Sequence, residues 1–155
     1  MRRDRTNVPR QFFLSDARGA SAIEFAVILP PLILMAIAIV DLGQGINRNM
    51  EVQNAAQMGA QYAVTNGNDT TAITTVVTES TYFDGIQASP APYQFCGCAS
   101  GTSVAEISCD SECDGGTPPG SYITVSAQGV YNTIIPYPLL PSSFTLTAQS
   151  TVRLQ

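Results

Sequence analysis

The chain starts polar, becomes almost wholly apolar, and then settles into helical and finally alternating patterns. Residues 1–18 are polar and basic, include Pro9, and read as a flexible leader. From Ala20 to Val40 the only charged residue is Glu24. As a helix this run is about 31 Å long at 1.5 Å per residue, which matches the hydrocarbon core of a bilayer. It is too long for the core of an ordinary secretory signal, and Glu24 argues against one as well. Pro30 and Pro31 fall inside the run. Membrane helices tolerate proline better than water-exposed ones, so a kink or a loosened turn is expected near Leu29.

The helical pattern continues past the apolar run. Ile46, Met50, Gln53, Ala56, Ala60 and Ala63 follow three- and four-residue spacing and are expected to share one face. Small residues towards its C-terminal end allow close approach. That face is expected to pack on the chain's own outer domain in preference to a second subunit. Asn66-Gly67-Asn68-Asp69 ends the helix with turn chemistry. A second helix is predicted from Asp69 or Thr70 to about Tyr82, with Ile73, Val76, Val77 and Ser80 on one face. From Asp84 to Pro92 the chain turns and extends, and Tyr93-Gln94-Phe95 leads into a cysteine-containing stretch.

The last third alternates with period two. In Tyr122–Tyr131, Ile123, Val125 and Ala127 alternate with Thr124, Ser126 and Gln128. In Phe144–Leu154, Phe144, Leu146, Ala148, Ser150, Val152 and Leu154 face one way, opposite Thr145, Thr147, Gln149, Thr151 and Arg153. Such alternation predicts a sheet with one buried face. Between these strands, Pro136, Pro138 and Pro141 constrain a loop. One or two helices against a small antiparallel sheet make an α+β domain.

Charge orients this arrangement. The net charge is −5, but five of the seven basic residues (Arg2, Arg3, Arg5, Arg10 and Arg18) precede the apolar run. Only Arg48 and Arg153 follow it, against nine acids. Basic flanks stay on the cytoplasmic side, so the N-terminus is expected inside and the C-terminal domain outside. Topology accounts for the arginines without nucleic acid, and the acidic outer domain argues against binding it. The sequence contains no histidine, which excludes Ser-His-Asp and Cys-His chemistry and histidine metal ligation within it.

Two groups of residues remain as candidate sites. Glu24 lies one turn inside a membrane-length segment, where an acid costs roughly 2.5 kcal/mol or more at the centre of a span and less near an interface. Such a residue usually has a partner. Cys96, Cys98, Cys109 and Cys113 are spaced C-x-C-x10-C-x3-C. Outside the cytoplasm an even number of cysteines reads as two disulfides. Three pairings are possible; a Cys96–Cys98 bond would be strained, which favours two bridges that cross the loop. A four-cysteine zinc site is the rival, but the spacing lacks paired C-x2-C knuckles. Asp110-Ser111-Glu112-Cys113-Asp114-Gly115 resembles the first half of a calcium loop, yet its twelfth position is Ser121 in place of glutamate, so an acidic hairpin facing water is the better reading.

A glycine, four mostly small or apolar residues, a glutamate and an aromatic at the head of a hydrophobic helix resemble the type IV prepilin processing site. Here they are Gly19, Glu24 and Phe25. The wider blocks Arg18–Ala26, Leu29-Pro30, Asp41-Leu42-Gly43, Asn54-Ala55-Ala56 and Gly59–Ala63 resemble TadE-like pseudopilins, minor components of the tight-adherence (Tad, or Flp) pilus system. So does the tail from Tyr122–Val125 through Pro136–Pro141 to Leu146–Gln149.

The resemblance implies a pilin-like layout: leader 1–19, transmembrane helix 20–42, helix extension 43–66, and an extracytoplasmic α+β domain 67–155 with a cysteine loop at 96–113. It implies that a prepilin peptidase cuts between Gly19 and Ala20. Glu24 then becomes the fifth residue and pairs with the Ala20 amine of a neighbouring subunit, since a carboxylate and an ammonium in lipid stabilise each other. Glycine before the cut lets an extended backbone approach the protease. The implied partners are the peptidase, other pilin or pseudopilin subunits, the pilus assembly machinery and the bilayer of the bacterial inner membrane. No cofactor and no catalysis are expected. Major Flp pilins are very short, so the added outer domain fits a minor subunit. The alternative is an unprocessed single-span protein whose disulfide-stabilised outer domain binds a ligand.

Overall fold

A computed structural model of the chain describes residues 17–136 and 141–154. The leader up to residue 16 and residues 137–140 of the proline-rich link, Pro138 among them, lie outside the described residues. The chain divides into two units, one ending at Val40 and one beginning at Asp41. Helix α1 (Ala17–Asn66) contributes to both and stays helical through Pro30 and Pro31.

In the first unit the helix is apolar and uncovered. Ile23, Val27, Leu34 and Ile39 each expose more than half of their surface. Apolar side chains left in water at this density would cost far more than a helix gains, so this stretch requires an apolar surrounding. It is the one helix among the described residues that is long and apolar enough to cross a membrane, as in a single-pass membrane protein. Its prolines leave the carbonyls of Ala26 and Val27 without their usual i+4 donors.

The second unit is an α+β domain. It comprises the rest of α1, helix α2 (Thr70–Glu79), and strands β1 (Tyr93–Ser100), β2 (Ser103–Glu106), β3 (Gly120–Asn132) and β4 (Ser143–Arg153). The strands form one antiparallel sheet in the order β2-β1-β3-β4. β3 and β4 pair from Tyr122↔Arg153 to Asn132↔Ser143. As the alternation predicts, Ile123, Val125 and Ala127 are buried to the last ångström, while Leu146, Ala148 and Val152 of the edge strand are half-buried against them.

Local signals set the helix ends. Gly67 adopts φ +83°, a left-handed conformation that suits glycine, and its N–H donates to the Ala63 carbonyl at 2.9 Å. The Asp69 carboxylate then accepts from the Thr71 and Ala72 N–H groups, both at 3.1 Å, and caps α2. Ile73 and Val77 turn the apolar side of α2 into the core.

Two expectations need correction. The face of α1 that meets the domain is not the one that runs through Ile46, Met50 and Gln53. Ile46 and Met50 are both 56% exposed and Gln53 is exposed, whereas Val52, Ala55, Ala56, Gly59, Ala60 and Ala63 are buried. The large apolar residues mark the wrong phase, because the sheet comes too close to admit them. A Cβ at Gly59 would stand 2.6 Å from Val77 Cγ2 and 2.9 Å from Val125 Cγ1. Second, the cysteine stretch is not a loop between strands. Cys96 and Cys98 belong to β1, which pairs with both β2 and β3. Gly97, Cys98, Ala99 and Ser100 carry little strand preference of their own, so neighbouring strands impose the extended state.

Replacing Gly59 by alanine inserts a methyl group into this contact and is expected to cost about 1–3 kcal/mol, despite a gain in helix propensity. Gly43, which has nothing within 4 Å of the same position, is expected to gain up to about 1 kcal/mol on the same change. Chemical denaturation of the two detergent-solubilised variants checks that the signs are opposite.

Candidate functional site

The residues expected to matter at the N-terminus lie on α1. Gly19 and Ala20 are among its first described residues. Glu24 and Phe25 follow, both exposed, Phe25 by 61%. Glu24 makes no hydrogen bond or ion pair with another described residue. The structure therefore presents a carboxylate on an apolar helix that offers it no partner among the described residues.

The four cysteines are all consumed in two bridges, Cys96–Cys109 and Cys98–Cys113, with Cα separations of 5.1 and 5.7 Å. Two residues apart on β1, Cys96 and Cys98 project from the same side of the strand. Together they fasten the loop after β2 to the sheet. A closed loop of this size contributes roughly 2–4 kcal/mol. No thiol is left as a zinc ligand. In the acidic hairpin, Cys113 pairs its backbone with Thr117, and the described residues hold no cluster of three acids, histidines or cysteines placed for a metal ion.

A polar lock lies where the uncharged run ends. Asp41 is only 4% exposed. The Tyr131 hydroxyl reaches both its carboxylate Oδ1 and its backbone carbonyl, the latter at 3.1 Å. The Ile134 N–H donates to the same Oδ1 at 3.3 Å. One side chain on α1 is thus tied to the far end of β3 and to Ile134, two residues past it. Sequence reading placed Asp41 within the transmembrane helix 20–42 and in the Asp41-Leu42-Gly43 block of the family resemblance, and assigned it no contact. The signal for more was faint: a tyrosine at the end of a strand that otherwise alternates between small, apolar and hydroxyl residues.

On the sheet face away from the helices, Tyr93, Phe95 and Tyr122 form a row with neighbouring ring centroids 5.8 and 5.9 Å apart. The Tyr93 hydroxyl donates to Glu106 Oε1 at 2.6 Å. That hydrogen bond, helped by the carboxylate's negative charge, raises the Tyr93 hydroxyl above its ordinary pKa of 10.0.

Two measurements test these contacts. Tyr131→Phe removes a donor from a buried carboxylate and is expected to destabilise the α+β domain by about 1–3 kcal/mol in denaturant titration. Unchanged stability would show that the lock holds nothing. Because its folded-state pKa is raised, Tyr93 contributes stability that is present at neutral pH and is lost as pH climbs through a value above 10.0. Absorbance titration should find one tyrosine ionising at lower pH in Glu106→Gln than in the native protein.

Comparison with known proteins picks out the N-terminal part of this architecture. The family model described as TadE-like protein matches residues 19–61. The match starts at Gly19, runs through Glu24, the apolar run and Asp41, and ends within the small-residue face of α1. No curated protein and no solved structure matches the chain. Over residues 19–61 the chain is thus similar to the TadE-like family.

Proposed function

We propose that this chain is a minor pseudopilin of a Tad/Flp-type pilus, with a structural role in pilus assembly for adhesion or secretion. In this reading a prepilin peptidase removes residues 1–19. The mature protein crosses the bacterial inner membrane once, with its N-terminus on the cytoplasmic side and the domain that follows Asp41 outside. Its partners are other pilin or pseudopilin subunits and the pilus assembly machinery.

One observation carries the reading: the family match begins at Gly19, the residue that would precede the cut, and keeps Glu24 in register with the apolar run. Two others support it. Cleavage there creates an α-amino group one turn from Glu24. The ammonium of one subunit then offers the carboxylate of the next a partner of opposite charge, where either group alone in lipid is costly. The division of the chain after Val40 supports a separate anchor. The helix extension 43–66 then belongs with the outer domain that it packs against.

The membrane-extracted protein, produced with and without a prepilin peptidase, is expected to begin at Ala20 only when the peptidase is present, as read by intact mass and terminal peptides. A leader retained in both samples would leave an unprocessed single-span protein with an outer binding domain. Given processing, Glu24→Ala is expected to be cut but to lose piliation. Normal piliation by that variant would remove Glu24 from the assembly contact.

A further inference from the structure

We infer that the Asp41 end of the outer domain rests on the lipid surface, with Ile134 and its neighbours seated in the interface as a second point of membrane contact. The inference builds on the reading that the run ending at Val40 spans a bilayer. The hydrogen bonds of Asp41 to Tyr131 and to the Ile134 N–H fix the end of the β3–β4 hairpin beside the residue at which the uncharged run stops. If that run lies in lipid, the hairpin end lies at its edge.

The surface there suits that position. Ile134 is 51% exposed and Phe144, opposite Tyr131 on β4, 36%. Leu42 and Ile46 on α1 are 67% and 56% exposed. Leu42 is next to Asp41 in sequence, Ile134 donates its N–H to Asp41, and Phe144 lies opposite Tyr131 on β4. The one charge among them, Asp41, is buried and hydrogen-bonded.

Charge places the same end towards lipid. No charged residue occurs between Asp114 and Arg153. Arg153 pairs with Tyr122 at the opposite end of β4. Asp110, Glu112 and Asp114 lie in the loop bridged to β1, and β1 pairs with the beginning of β3 at Gly120. From there to Tyr131 is about 36 Å along the strand. The acids are thus held away from the membrane, where lipid headgroups of like charge would repel them. Uncharged apolar side chains such as Ile134 and Phe144 gain by burial in the headgroup boundary.

The test uses the full chain in phosphatidylcholine–phosphatidylglycerol vesicles. All native cysteines are in disulfides, so a single introduced cysteine takes an environment-sensitive fluorophore. Ile134→Cys keeps the backbone N–H that Asp41 needs; Phe144→Cys, opposite Tyr131 on β4, supplies a second reporter should the first variant fail to fold. Ile28→Cys reports on the span and Thr102→Cys on the β1–β2 turn. The expected result is fluorescence at 134 quenched more by nitroxides carried high on the acyl chain than by deep ones. Position 28 should be quenched by deep nitroxides, and position 102 should lose nothing with either. Quenching at 28 with position 134 as bright as 102, or shielded from water yet untouched by lipid nitroxides, overturns the lipid contact and leaves the span intact. Absence of quenching at 28 as well overturns the span and the inference with it.

Discussion

The α+β domain exists because a helix and a strand come close enough to touch through their smallest residues. Gly59 on α1 leaves room for Val77 and Val125, and Gly129 on β3 does the same for Val52 and Phe83. Ala55, Ala56, Ala60 and Ala63 line the rest of the helix face. Alanine and glycine bury little area each, so the gain comes from what their smallness admits. Ile73, Val77, Ile123 and Val125 are completely enclosed, and each gains roughly 1.5–3 kcal/mol by leaving water. A larger residue anywhere along that contact would open the core rather than fill it.

Asp41 fixes where along the helix this contact begins. A buried carboxylate is tolerable only while its hydrogen bonds are made. Tyr131 and the Ile134 N–H therefore hold the hairpin at one position on α1. Arg48 adds to this alignment from the same helix, paired with Glu51 at 2.9 Å and lying 4.6 Å from the centre of the Phe83 ring. Apolar packing supplies stability without choosing a unique position; the polar contacts choose it.

Parts of this architecture were legible from residues taken in order, and parts were not. The strict alternation of Phe144–Leu154 and of Tyr122–Gln128 announces β3 and β4, because each strand has one buried face and period two is the only pattern that satisfies it. Asp69 announces α2 through local capping chemistry. β1 and β2 could not be seen, since Gly97, Cys98, Ala99 and Ser100 become extended only through pairing with distant strands. The phase of α1 was misread because Ile46 and Met50 are apolar for a reason unconnected with the domain's own core. The Asp41 lock joins residues separated by 90 and 93 positions, a distance over which no local pattern operates. The N-terminal motif was legible as a pattern around Gly19 and Glu24, while the partner that Glu24 calls for lies outside a single chain.

The two disulfides have a consequence for resistance to proteolysis. They overlap in sequence: Cys96 joins Cys109, and Cys98, which lies between those two, joins Cys113 beyond them. A protease that severs the backbone once anywhere from Cys96 to Cys113 leaves at least one bridge spanning the cut. The severed halves remain a single covalent molecule, still clamped to β1. The most exposed and acidic part of the domain can therefore be nicked without being shed.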